Sequence, residues 1–291
     1  MILLSYNIQY GFGADDRYDL ARAAAVMQGA DIVALQEVDR HWSRTNFDDQ
    51  PALLQALLPG HYAAYGPAFD MDASTRDGDR VTNRRRQFGP MILSRWPILW
   101  TRLHLLTMRR MVTPLNTQTA ALEACIAAPG GAIRVMSVHL AHVGVDERLD
   151  QIAQLQDILA RAAASGGPWS GMDDEPSRNW TEGQSEPPNP AALILFGDFN
   201  CEPDSAEMRR LLGQSPYHPD AVYAGVLVDV VARQSGGPLH THEKLIAGRM
   251  RRRQLDHILL TPDLAAQVTR VWTDPAQTAS DHFPLWADLS V

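Results

Sequence analysis

The spacing of apolar residues changes several times along the chain, and each change marks an element. Ile2 to Ile8 is a short, nearly continuous apolar run of strand length. Tyr18 to Met27 carries apolar residues at helical spacing, with Asp15 or Asp16 available as an N-cap. Asp31 to Leu35 is again β-branched and apolar, and it runs into Gln36-Glu37. The result is a strand, helix, strand unit with polar groups at both strand ends, where open α/β sheets place ligands.

The middle of the chain is richer in strands. Pro90 to Ser94, Ile98 to Leu106, Thr117 to Ile126 and Ala132 to His139 read as strands, the last two joined by the turn Pro129-Gly130-Gly131. Asp146 to Ala164 predicts a helix with Leu149, Ile152, Leu155, Ile158 and Leu159 on one face. From Ser165 to Pro190 the periodicity vanishes into Gly, Pro, Ser, Asp, Glu and Asn, the pattern of a long surface loop. Trp169 and Trp180 within it argue against pure disorder, and its place in the chain makes it a candidate lid. Ala191 to Phe196 is a buried strand, and Asp204 to Leu212 a short helix capped by Asp204 or Ser205. Leu255 to Leu260, Val268 to Thr273 and Leu285 to Leu289 are further strands. Strands near both termini most simply share one core, so residues 1–291 are expected to form a single domain with a long loop at about 165–190.

Polar residues collect at the ends of these strands: Asn7, Glu37, His139, Asp198 with Asn200, Asp256, and Asp281 with His282. Singly, each is most simply a turn residue, a cap or a satisfied polar group. Jointly they are what a hard divalent cation and a phosphate ester require. Carboxylates hold the cation, while amides and imidazoles steady the charged oxygens of the transition state.

Composition narrows the setting. A hydrophobic fraction of 45% and a charged fraction of 21% are ordinary for a globular protein. No apolar run is long enough to cross a membrane as a helix. The first residues read as a strand with no signal-peptide pattern. Two cysteines, Cys125 and Cys201, give no disulfide framework and fit a reducing, cytoplasmic setting. The formal charge of −8 disfavours holding nucleic acid by bulk charge. Basic residues are nevertheless clustered at Arg84-Arg85-Arg86, Arg109-Arg110 and Arg249 to Arg253. The first and last of these runs precede strands that lead to the polar set. A solvated face is the plain reading of such runs; anion focusing at a site is the sharper one.

The ordered segments Tyr6-Asn7-Ile8, Leu35-Gln36-Glu37-Val38, Ser137-Val138-His139-Leu140, Gly197-Asp198-Phe199-Asn200, Gln254-Leu255-Asp256-His257-Ile258 and Ser280-Asp281-His282 span nearly the whole chain. In them the sequence resembles the endonuclease/exonuclease/phosphatase superfamily, which is deoxyribonuclease I-like, and within it the bacterial metal-dependent hydrolases. The resemblance implies an α/β (α+β) fold, a two-sheet β-sandwich flanked by helices. It implies a metal-dependent hydrolase acting on phosphate ester bonds with Mg²⁺ or Mn²⁺. Glu37, Asn7 and Asp281 are then the metal-side residues, with Glu37 the principal ligand. His139, Asp198, Asn200, Asp256 and His282 are the catalytic residues, with Asp256 behind His282. Whether Asp198 or His282 is the base stays open, as does the number of metals.

Two departures stand out. Pro90 occupies a place where many members carry Asn. His240-Thr241-His242 lies before Asp256 where members often carry Thr, and an exposed loop is its plainer reading. Arg84, Arg85, Arg86, Arg253, His240 and His242 are the candidate substrate-binding residues. The substrate expected is a phosphodiester, with nucleic acid a candidate partner. A small-molecule or lipid, sphingomyelinase-like phosphodiester or a phosphatase substrate is the alternative. A non-catalytic binding module on the same fold is remote, because every core residue is present. No protein partner is inferable, and no stable membrane insertion is expected.

Overall fold

The computed structural model describes residues 1–290 apart from Pro216, Pro219, Asp220, Ser235 and Ala247. The strands, in chain order, are β1 (Ile2–Asn7), β2 (Ile32–Arg40), β3 (Tyr62–Tyr65), β4 (Phe69–Asp72), β5 (Thr75–Asp77), β6 (Arg80–Thr82), β7 (Arg85–Ser94), β8 (Ile98–Leu105), β9 (Ala120–Ala128), β10 (Gly131–His139), β11 (Leu193–Asp198), β12 (Val228–Asp229), β13 (His242–Ile246), β14 (Arg249–Arg253), β15 (Asp256–Leu260), β16 (Val268–Thr273) and β17 (Leu285–Leu289). The helices are α1 (Leu20–Met27), α2 (Gln50–Leu57), α3 (Val145–Ser165), α4 (Ala206–Leu211), α5 (Val230–Gln234) and α6 (Pro262–Ala265).

Two sheets result. One runs β16-β17-β1-β2-β7-β3, with β4 also on β7; the other runs β12-β15-β11-β10-β9-β8. Leu3, Ile32, Ala34 and Ile92 of the first sheet pack with Leu122, Ala124, Val135, Ile194, Phe196 and Ile258 of the second in one core. The alternate residues face helices. Leu4, Tyr6, Val33 and Leu35 pack with Ala23, Met27 and Leu54 of α1 and α2. Met136, Val138, Leu195 and Leu259 pack with Ile152, Leu155, Met208 and Leu211 of α3 and α4. Strands covered on both faces must be apolar at nearly every position, which is why they read as unbroken runs. The expected helix-flanked two-sheet sandwich is the observed architecture. Among the described residues no helix is long and apolar enough to cross a membrane.

Several local readings need correction. The cap of α1 is Asp19, whose carboxylate accepts from the Ala21 and Arg22 amides, and neither Asp15 nor Asp16 fills that place. Ser205 caps α4 through the Met208 amide. Strand β2 does not stop at Leu35 but runs on to Arg40, with its register broken between Leu35 and Val38. Arg249 to Arg253, read as a solvated basic run, is strand β14, paired with β13. The 165–190 segment is irregular apart from a short 3-10 turn at Pro176–Arg178. Its anchors run from the Trp100 indole to the Pro188 carbonyl (2.8 Å) and from Arg102 to the Gly167 carbonyl (3.0 Å). Trp100 sits level with Cys125, and Cys125 with Arg134, at the opposite end of β10 from His139. Those anchors hold the segment to the wrong edge of the sheet for the lid expected of it.

Candidate active site

The parallel pairs β1·β2 and β10·β11 point their carboxyl ends the same way, and the two sheets deliver polar side chains to one edge. Register sets the placement. Asn7 lies opposite Gln36, His139 opposite Asp198, and Asp198 opposite Asp256. Beneath the edge the sheets are tied together. The Gln36 amide donates to Ser137 Oγ (3.1 Å), and that hydroxyl donates to the Leu35 carbonyl (3.0 Å). Ser280 Oγ donates to the Asn7 carbonyl (2.7 Å), fixing the 280–282 segment over β1.

Two backbone devices aim the acids. Glu37 sits in the β2 irregularity at φ +61°, a left-handed conformation costly for a residue with a side chain. An unbroken strand would turn the carboxylate toward a neighbouring layer; the bulge turns it to the edge. Asn200 is likewise at φ +50°. Gly197 allows β11 to approach β10: a Cβ there would lie 1.9 Å from the Val138 carbonyl oxygen.

At the centre, Asn7 Nδ2 bridges Glu37 Oε1 (3.1 Å) and Asp198 Oδ2 (3.0 Å). His139 Nε2 stands 3.7 Å from that Asp198 oxygen and 3.9 Å from Glu37 Oε1. His282 Nε2 stands 3.7 Å from Asp198 Oδ2, while its Nδ1 is 2.8 Å from Asp256 Oδ2. The Asn200 amide N–H donates to Asp198 Oδ1 (2.8 Å), and one N–H of its side chain donates to the Leu140 carbonyl (3.0 Å). Asp281 is at the rim, 28% exposed and 3.9 Å from His242 Nε2.

These neighbours shift protonation in opposite directions. Burial pushes the Glu37 carboxyl up to about 7; the Asn7 bond and His282 oppose that, and Asp198 and Asp281 reinforce it. Burial would raise Asp198 too, but His282 and His139 on either side hold it below the usual range. Burial disfavours charge on His282, yet Asp256 and Asp198 overcome this and raise it to about 10. Burial lowers His139, outweighing the opposing charge of Asp198, and His282 and His142 add to the fall.

Among the described residues no three His, Cys, Asp or Glu side chains are grouped as a ready cation site. The donor set still suits a hard ion that keeps several waters. Glu37 offers a buried carboxylate beside Asp198; Asn7 turns its N–H groups to both acids, while its Oδ1 accepts from the Gln9 amide at 3.0 Å.

The other candidates divide. His242 is buried, 4% exposed, with its ring edge-on to His282 at 4.8 Å between centroids, and Thr241 is fully buried. The exposed-loop reading therefore fails for both and holds for His240. Arg253 Nη2 lies 3.3 Å from His242 Nδ1. The arginines of the first run are engaged locally. Arg84 donates to the Phe47 carbonyl, Arg85 pairs with Asp70 at 2.8 Å, and Arg86 lies over Trp42 at 5.2 Å. Arg109 is bound to Asp150 at 2.6 Å. Sequence reading gave no role to Phe88, whose ring centroid is 6.3 Å from that of His139, or to the bracing pair Gln36 and Ser137. A usable signal was there: Gln36 and Ser137 are polar residues inside otherwise apolar strands, one and two places before the chemistry-bearing residue.

Among curated proteins no significant sequence match is found. Solved structures are similar in fold. An endonuclease/exonuclease/phosphatase from Beutenbergia cavernae is 20% identical with a TM-score of 0.63, over 99% of this chain and 71% of that one. One from Bacteroides vulgatus is 18% identical with a TM-score of 0.62, over 100% and 98%. A mannosyl-6-phosphatase from Bacteroides thetaiotaomicron is 16% identical with a TM-score of 0.61, over the full length of both chains. The model of the Endonuclease/Exonuclease/phosphatase family matches residues 4–169 and 172–282, which take in every residue of the centre. By that match the chain belongs to the Endonuclease/Exonuclease/phosphatase family, a family of phosphoester hydrolases.

Proposed function

We propose that the protein hydrolyses a phosphodiester with a divalent cation, Mg²⁺ or Mn²⁺, by direct attack of water. The observation that carries this reading is the Asn7 amide shared between Glu37 and Asp198, with an imidazole on either side of Asp198 at 3.7 Å. Glu37 would hold the cation, with Asp281 a further acid nearby; Asn7 would join through Oδ1 only by releasing the Gln9 amide that this oxygen accepts from. When bound, such an ion neutralises phosphate charge and polarises the phosphoryl group.

The protein's own groups divide the remaining work. Asp256 and Asp198 favour the charged form of His282, which suits it to donate to the phosphoryl oxygens. That leaves Asp198 to orient the attacking water and accept its proton, with the Asn200 amide holding the other carboxylate oxygen. Asp256 keeps His282 in place and charged. His139, on the opposite side, supports the phosphoryl oxygens, as does the second side-chain N–H of Asn200. Water's oxygen joins phosphorus as the ester oxygen leaves.

A small phosphoester is favoured over a duplex. Three of the clustered arginines are engaged within the fold: Arg85 with Asp70, Arg252 with Glu243 and Arg84 with the Phe47 carbonyl. The fold neighbour named a mannosyl-6-phosphatase makes a sugar phosphate monoester the second reading. The test is hydrolysis of bis(p-nitrophenyl) phosphate and p-nitrophenyl phosphate with Mg²⁺ or Mn²⁺, beside plasmid nicking and Glu37→Ala. We expect diester turnover that Glu37→Ala lowers by about 10²–10³-fold. Equal rates from both proteins would sink the assignment.

A further inference from the structure

His242 has no part in the reaction just described, yet its ring lies against that of His282 and its backbone forms a bridge with the same residue. Across the β13·β14 hairpin its register partner is Arg253, whose Nη2 is 3.3 Å from His242 Nδ1. A guanidinium only donates and does not lose its proton. His242 Nδ1 must therefore be the accepting, unprotonated nitrogen, and a neutral ring then carries its hydrogen on Nε2. That nitrogen faces Asp281 Oδ2 at 3.9 Å, beyond hydrogen-bond reach. The N–H is thus fixed in direction and buried at its root. It faces the mouth of the centre with an acceptor missing.

We propose that His242 is a third imidazole of the centre: held as the Nε2–H tautomer by Arg253, it donates to an anionic phosphoryl oxygen of the substrate, between His282 and Asp281. Arg253 is its positioning residue, acting through the ring rather than on the substrate. The proposal rests on the phosphoester reading above. It separates His242 from His240, which is exposed and serves no such purpose.

The test uses the full chain with histidine ring nitrogens labelled with ¹⁵N. Long-range ¹H–¹⁵N spectra are expected to show His242 protonated at Nε2, and inorganic phosphate is expected to shift that resonance. Arg253→Met is expected to move the tautomer toward Nδ1–H and lower kcat/KM on bis(p-nitrophenyl) phosphate by about tenfold, short of the full loss of a donor. His242→Phe keeps an aromatic ring against His282 and is expected to lower kcat by about 10²-fold; His242→Gln, which restores an N–H, recovers part of it. Wild-type kcat in a folded His242→Phe protein overturns the proposal, as does an Nδ1–H tautomer in the parent protein. Should His242→Phe fail to fold, the tautomer and its response to Arg253→Met decide the matter alone. Glu37→Ala runs alongside. If it too keeps full activity, the phosphoester reading falls and this proposal with it. If it is inactive while His242→Phe is not, only the role of His242 falls.

Discussion

The two flanks of the centre treat a buried histidine in opposite ways. On the β10 flank, His139 has an aromatic neighbour, Phe88, and meets carboxylates only at 3.7 and 3.9 Å. On the β15 flank two imidazoles each have a carboxylate in direct contact. His282 meets Asp256 at 2.8 Å, and the adjacent His257 meets Asp229 at 3.3 Å. Burial lowers the affinity of His139 for a proton, whereas the paired histidines bind theirs more tightly despite equal burial. Position near the reacting group does not decide charge; the residue standing behind the ring does.

This contrast is sharpest in the largest expected effect. Asp256→Asn leaves His282 with a polar partner but no countercharge, and kcat/KM should fall by about 10³-fold. His139→Gln removes an imidazole whose charged form burial disfavours, and the fall should be about 10²-fold, at the low end for such a group. Steady-state rates on bis(p-nitrophenyl) phosphate measure both, and a larger loss from His139→Gln would reverse the assignment of the two flanks.

A smaller effect concerns what builds the β15 flank. Thr241 Oγ1 accepts from both the Leu255 and Asp256 amides at 3.0 Å. Thr241→Val has nearly the same shape but strands two buried N–H groups, and urea unfolding should show a loss of about 2–4 kcal/mol. A change below about 0.5 kcal/mol would mean that the flank does not depend on that hydroxyl.

The smallest effect is in pH dependence. His257 is fully buried between Asp229 and the Cys201 carbonyl, and its proton affinity in the fold exceeds its ordinary value of 6.5. Burial opposes the shift; the Asp229 hydrogen bond and charge drive it. A raised folded value means that this contribution is fully present below 6.5 and is lost as pH rises through the elevated value. Asp229→Asn should flatten that decline and lower Tm at the acid end by about 2–4 °C. An unchanged pH profile in a thermal scan would show that the pair is not a charged one.

Legibility followed burial. Strands such as Ile2–Asn7 and Leu193–Asp198 are covered on both faces, so their apolar runs were readable without knowledge of the partner. The polar set at their ends was readable for the same reason, standing out against those runs. What escaped depended on tertiary contact. The bulge at Glu37 satisfies no local pattern, because it is β7 that reveals the skipped register. The β13·β14 hairpin has few apolar positions and carries Arg249, Arg251, Arg252 and Arg253, so it read as a solvated face with no strand pattern. Thr241 and His242 were hidden by the same polarity, since their burial comes from β15 and the 280–283 segment rather than from their neighbours in sequence.

The pairing of β1 between β17 and β2 has a consequence for synthesis. A ribosome-bound chain that has released only residues 1–260 holds β1 with one side unpaired, and its Asp198 has no His282 beside it. Ser280, which clasps the Asn7 carbonyl, lies 273 positions away. Contacts of such long range form late. On the proposed mechanism the nascent polypeptide would be silent until the 280–282 segment emerges, and phosphoester turnover would report that this segment has met β1.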